Sequence, residues 1–357
     1  LHIVGVASLV TLFYLQSSII RRSRVVFIYA ITISVESVLI EFLTTVFSQI
    51  TPIMLSAISI TFAGIMLLLV ASFLWERKRI FALFLKSWKN LIFASSFLAV
   101  GIFTWYDSIN KIGASKEVLI AGPLEIVLIV VLARVFLKEK LNRVQIAGIV
   151  LALMGFFISI SSDSGTNVLD GGIQTVITSP LPLTLIAFGD IEAIFSAFGF
   201  AIGVLFLTKL VSLHSSIEVA GASMLISGFI LLGFMVGLSH ESVQVPSVAE
   251  RSLFQQPQML MNTIIILVLF SLLPFIGSLS YSTGLSRIGA SITATIGSSS
   301  ILITVIIQIT LRELGITSNL PENILLAIVG GIIGFLGIYV IHMYGGSVSQ
   351  HKKKQVS

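Results

Sequence analysis

Two carboxylates draw attention by where they lie. Glu36 falls 11 residues into an apolar run that starts at Val25, and Glu125 falls near the middle of another, Val118–Phe136. A charged side chain at the centre of a bilayer costs several kcal/mol, so such groups usually face a cavity or a partner. Each acid therefore has two readings. It is a substrate-amine or proton site, where protonation neutralises the group and couples a proton gradient to transport. Alternatively it is a permanently protonated acid hydrogen-bonded to a neighbouring helix. No membrane-embedded Lys or Arg offers either one an evident salt-bridge partner.

Further candidates surround them. Gly122-Pro123 precedes Glu125, and a proline removes a backbone donor and frees a carbonyl one turn earlier. Broken helices at the midplane present such carbonyls to solutes; a plain packing kink is the other reading. Pro274 is read the same way, at lower weight. Ser298, Ser299 and Ser300 sit at the middle of a late apolar run, where hydroxyls either bind solute or satisfy their own backbone carbonyls. Trp105, Tyr106 and Tyr281 either wall a cavity or belong to the aromatic belt at the interface. Other acids read as structural. Ser215-Ser216-Ile217-Glu218 fits a capping box, Asp190 and Glu192 lie toward one end of their run, and Glu41 lies near enough to an end to reach the interface.

These residues need elements that cross lipid. The chain has 357 residues, 56% hydrophobic and 10% charged, against roughly 25% charged in a soluble protein. So few charges cannot cover a water-exposed surface. There are no cysteines, so disulfides and thiol chemistry are excluded, and the five histidines share no metal-ligand spacing. No G-x-x-x-x-G-K-[ST] motif supports ATP use. No cofactor and no metal is called for. The net charge of +5 invites a nucleic-acid reading, but the basic residues sit in short connections between apolar runs. That placement fits membrane orientation and no nucleic acid.

A spanning helix needs about 20 mostly apolar residues. The sequence predicts ten: Val25–Val46, Pro52–Trp75, Leu91–Tyr106, Val118–Phe136, Val144–Ser161, Leu183–Leu210, Val219–Leu238, Leu260–Leu285, Ile288–Leu311 and Ile324–Met343. With the segment before Val25 inside, 17 Lys and Arg residues fall in inside connections: Arg21 to Arg24, Arg77 to Lys89, Arg134 to Arg143, Lys209, Arg287 and Lys352 to Lys354. Four fall outside: Lys111, Lys116, Arg251 and Arg312. The excess places both ends of the unit, including the basic tail 346–357, in the cytoplasm of a multi-pass cell-membrane protein. Residues 1–24 form an apolar extension, read as an eleventh helix or as a signal-anchor-like segment. No clear small-residue cleavage site follows it.

The chain repeats itself. Tyr106 to Ser115 reads YDSINKIGAS, and Tyr281 to Ser291 reads YSTGLSRIGAS. Each is followed by an apolar helix, a charged step (Leu137-Lys138-Glu139 or Leu311-Arg312-Glu313) and a glycine-rich helix (Gly148 to Gly155 or Gly330 to Gly337). The duplicated unit has five helices, an odd number, so the second copy lies inverted; Lys111 falls outside and its counterpart Arg287 inside. The expected fold is all-α, with ten transmembrane helices in two inverted five-helix repeats, residues 25–162 and 182–345. Such repeats are a common transporter plan.

With these motifs the sequence resembles the EamA type of the drug/metabolite transporter superfamily. The resemblance rests on the Tyr-x-x-x-x-Lys-Ile-Gly-Ala-Ser turn, Pro123, Phe136 to Leu141, Gly148 to Gly155, Gly189-Asp190, Tyr281, Arg287 to Ser291, Glu313 and Gly330 to Gly337. It implies two EamA-like repeats around a central cavity shared by the first and fourth helices. The chain departs from the family where that cavity is built. Ser34, Glu36 and Ser37 stand where Trp-Gly is frequent, Ser59 or Thr61 where Arg is common, and Ser298 to Ser300 where the second-half proline is expected. Substrate is therefore not carried over.

The expected function is secondary transport of a small metabolite, such as an amino acid-like, nucleoside or drug-like solute, by alternating access, with no enzymatic activity. A non-transporting membrane scaffold is the runner-up, and it would need neither a cavity nor midplane carboxylates. A membrane-embedded enzyme would need a His, Asp or Cys cluster that the sequence lacks. Small-xxx-small spacings at Gly148–Ala152 and Gly330–Gly334 allow close helix contact, either within the chain or as the seam of a homodimer.

Overall fold

The computed structural model describes residues 18–47, 49–74, 83–137, 142–162, 188–241, 257–288, 290–316, 319–321 and 323–345. The expected eleventh helix, the basic steps at Arg77–Arg79 and Lys138–Lys140, Gly289 and the basic tail lie outside these residues. Twelve helices run in order: α1 Ser18–Val46, α2 Pro52–Leu74, α3 Trp88–Ile112, α4 Ala114–Leu137, α5 Arg143–Ile160, α6 Phe188–Val211, α7 Ser216–Glu241, α8 Pro257–Phe270, α9 Leu272–Ile288, α10 Ala290–Gly297, α11 Ser299–Glu313 and α12 Ile324–Gly345. Among the described residues there is no strand, and nine helical spans are long and apolar enough to cross a membrane. Helix α4, the fourth expected span, lies outside that set. It is 24 residues long and carries Lys116, Glu117, Glu125 and Arg134.

Two expected helices are interrupted. The eighth run divides into α8 and α9 at Ser271, and the ninth into α10 and α11 at Ser298. Pro274 has no N–H to give the carbonyl of Phe270, which weakens the first turn of α9. At the second break, Ser298 Oγ bonds Thr295 O at 2.6 Å and Ser299 Oγ bonds Ile296 O at 2.7 Å. Such back-bonding to the preceding turn bends helices.

The surface is apolar and the interior holds polar groups, the reverse of a soluble protein. Phe73 is 87% exposed and Leu325 74%, whereas Ser34, Ser56, Ser59 and Ser95 are fully buried. Lipid makes no hydrogen bonds, so hydroxyls gather where protein atoms can satisfy them.

Packing follows a two-fold pattern. Helix α5 packs on α12, and α2 on α7. Helix α3 packs on α6, and its counterpart pair, α1 with α9, is also in contact. The contact of α4 with α6 has its counterpart in α1 with α10 and α11. Contacts between the two sequence repeats thus come in counterpart pairs. The α5–α12 seam is glycine on glycine: a Cβ on Gly155 would overlap the backbone N of Gly334, and one on Gly337 the backbone N of Ala152. Both small-residue stripes are thus occupied by each other within one chain. The homodimer reading of these stripes loses its basis.

The Lys-Ile-Gly-Ala-Ser turn joins α3 to α4. Gly113 adopts φ +82°, and a Cβ there would come within 2.5 Å of Asn319 O. The exposed N–H groups at the start of α4 are satisfied from other elements. Ala114 N donates to Glu41 Oε2 at 2.8 Å, and Ser115 N to Gln308 Oε1 at 2.9 Å. A carboxylate at a helix N-terminus also complements the helix dipole.

Candidate functional site

A cavity of about 170 Å³ lies between α1, α2, α3, α4, α6, α7, α9, α10 and α11. Helix α1 contributes Tyr29, Ile33, Glu36 and Ser37, which recur at the period of one helical face. Helix α4 contributes Glu117, Ala121, Gly122 and Glu125 in the same way. The opposite wall holds Pro274, Gly277, Tyr281, Gly297, Ser298 and Ser300.

Glu36 and Glu125, read separately from two runs, thus meet at one cavity. Glu36 is 2% exposed and accepts a hydrogen bond from Tyr106 Oη at 2.8 Å. Glu125 is partly accessible. Tyr106 is fully buried, and Trp105 is 7% exposed. Both are interior residues and not part of an interfacial aromatic belt. Trp105 lines the cavity and donates from Nε1 to Glu117 Oε2 at 3.1 Å. Tyr281 also lines the cavity, and its ring lies against Tyr29 with centroids 4.7 Å apart.

Several expectations change. Pro123 does not line the cavity. Helix α4 runs unbroken through it, and its ring packs toward Gly334 of α12, where an added Cβ would come 3.0 Å from Pro123 Cγ. The neighbouring Gly122 faces the cavity instead. The helix interruptions belong to the second half, where Pro274 and Ser298 reach the cavity wall. Of the three serines, Ser298 and Ser300 line it and Ser299 does not.

Glu41 does not reach the interface. It is 4% exposed and binds Ala114 N, Asn319 N at 2.5 Å and the Gln308 amide. Lysine ion pairs do exist, away from Glu36 and Glu125. Lys116 pairs with Asp190 at 3.0 Å, with side chains 6% and 0% exposed. Lys111 pairs with Asp107 at 2.7 Å and with Glu192 at 2.5 Å. Asp190 and Glu192 are thus each held by a lysine. The capping box at Glu218 is not completed by its Oε1, which is buried without a hydrogen bond.

Sequence reasoning missed Glu117, a third carboxylate on the cavity. Ser196 Oγ donates to its Oε1 at 3.3 Å. The available signal was its spacing from Glu125, two helical turns on one face. Among the described residues, no group of His, Cys, Asp and Glu could hold a metal ion.

Fold and site together define a polytopic α-helical membrane protein built around a small, mostly apolar cavity that three carboxyl groups face. Residues 23–161 match the model of the EamA-like transporter family, which is consistent with a member of the drug/metabolite transporter superfamily. No curated protein matches the chain. Among solved structures 26 chains match, one of them a crystal structure of a protein 17% identical that covers 89% of this chain and 99% of its own at a TM-score of 0.53. At that identity the likeness is one of fold alone.

Proposed function

We propose that the chain is a secondary transporter that moves a small metabolite by alternating access, with Glu36 and Glu125 taking up and releasing the coupling proton. The observation that carries the reading is the cavity, in which both carboxylates, read independently in the sequence, face one space. A scaffold subunit needs neither that space nor acids facing it, and a filled core would have suited it. The reading contains no catalytic step. An acid that faces a solute cavity can bind a proton from one side and release it to the other, as transporter relays do.

The test is flux in proteoliposomes with a panel of amino acids, nucleosides and drug-like amines, with and without a pH gradient. The expected result is gradient-driven uptake of at least one solute. Glu125→Gln keeps the shape and fixes the neutral state. It should abolish pH-driven net flux while sparing exchange at saturating solute, and Glu36→Gln should act in the same direction. If both variants retain wild-type pH-dependent flux, these carboxyls are structural.

A further inference from the structure

The three cavity carboxylates differ in how much of their acceptor capacity is already used. A carboxylate has two oxygens and about four acceptor positions. Glu117 receives hydrogen bonds on both oxygens, from Trp105 and Ser196. Glu36 receives one, from Tyr106, and its second oxygen accepts none from the described residues. Glu125 accepts none from the described residues, and its side chain faces the cavity. Tyr281 Oη is buried and likewise without a partner. Its ring forms a corner with Tyr29, with the planes at 48°. Among the described residues, no Lys, Arg or His lines the cavity. The buried Lys116 is engaged with Asp190, and the more exposed Lys111 with Asp107 and Glu192.

We propose that the solute is a small organic monocation, an amine or ammonium compound, held with its head between the Glu125 carboxylate and the Tyr29–Tyr281 corner. This rests on the transport reading of the same cavity. A carboxylate that faces an enclosed cavity and receives no hydrogen bond from the protein gains when a counter-charge arrives beside it. A cation on the face of tyrosine rings adds attraction that grows as water is excluded. An anion would meet three carboxyls and no basic side chain. A zwitterion would place its own carboxylate where only neutral hydroxyls can meet it. The volume suits one head group and a body of about one ring, since an apolar cavity of about 150 Å³ accommodates benzene.

Equilibrium binding to the purified full-length protein in detergent tests this, by titration calorimetry with four probes of similar size. Phenethylamine and phenyltrimethylammonium are cations, phenylacetate is an anion and phenylalanine is a zwitterion. Saturable binding of at least one cation is expected, with affinity about tenfold or more above both other classes. Glu125→Gln should weaken the cation by about tenfold or more, the scale of one charge-assisted hydrogen bond. Tyr281→Phe keeps the ring and removes the free hydroxyl. It should weaken phenethylamine and leave phenyltrimethylammonium unchanged, and it serves where Glu125→Gln does not fold. Preference for phenylacetate or phenylalanine, binding of none of the four, or a folded Glu125→Gln with wild-type cation affinity would each overturn the inference. The first of these leaves the transport reading intact. Cation binding without gradient-driven flux of any solute would overturn the transport reading alone.

Discussion

Tyr106 shows how a residue with an ordinary reading acquires a special one. In sequence it ends an apolar run, where an aromatic belt is the natural expectation. In the fold it is fully buried and its hydroxyl holds one oxygen of Glu36. Tyr106→Phe keeps the packing and leaves that oxygen without its donor, so a buried acceptor goes unsatisfied at about 1–3 kcal/mol. Thermal unfolding in detergent should show a midpoint lower by at least about 2 °C; an unchanged midpoint would mean that water replaces the hydroxyl. Glu36 and Glu125 were legible because acids are rare inside apolar runs. Glu117 was not, for a physical reason. Helix α4 begins at Ala114, four residues before the predicted start at Val118, because Glu41 and Gln308 reach across to satisfy its first N–H groups. The predicted start at Val118 left Glu117 in the connection, so its two-turn spacing from Glu125 could not be read as one helical face.

At the scale of elements, the helix runs were legible and their interruptions were not. A long apolar run looks the same whether or not it breaks at Ser271 or Ser298, and the cause lies in Pro274 and in hydroxyls that turn back on their own carbonyls. The glycine-rich helices were visible as close-contact surfaces, but only the fold shows that they meet each other. Gly155→Leu tests that seam. Its Cβ would overlap the Gly334 backbone, which cannot move as a side-chain tip can. Overpacking of this kind costs about 1–3 kcal/mol when side chains yield, and more when backbones must separate. A large loss of folded, monodisperse protein in detergent is expected, while Gly233→Leu, where an added Cβ meets nothing within 4 Å, should be tolerated. The α3–α4 turn makes a second test. Gly113 pairs φ +82° with extended ψ, a region open essentially to glycine alone. Gly113→Ala should cost about 1–3 kcal/mol for the backbone, with the contact to Asn319 added, read as a lower unfolding midpoint.

For the whole molecule, the open question is which end faces which side, and here charge and contacts can be combined. The Lys and Arg excess assigns the α3–α4 turn and the connection after α11 to the outside, and the α6–α7 connection to the inside. The fold groups the same segments. Gly113 packs on Asn319, and Ser162 O accepts from Asn323 N at 3.1 Å, so these segments share one end. Ser87 and His214, both assigned inside, are 2.9 Å apart at the other. The grouping by end is therefore internally consistent, and only the absolute direction rests on charge. Because the chain has no cysteine, single cysteines report cleanly. Leu314 is 70% exposed and Leu213 65%, on opposite ends. In sealed cells an impermeant maleimide should label Leu314→Cys and leave Leu213→Cys unlabelled until the membrane is permeabilised. The reverse pattern would invert the orientation without disturbing the fold. Labelling of both in sealed cells would contradict the placement of the two connections at opposite ends of the bundle.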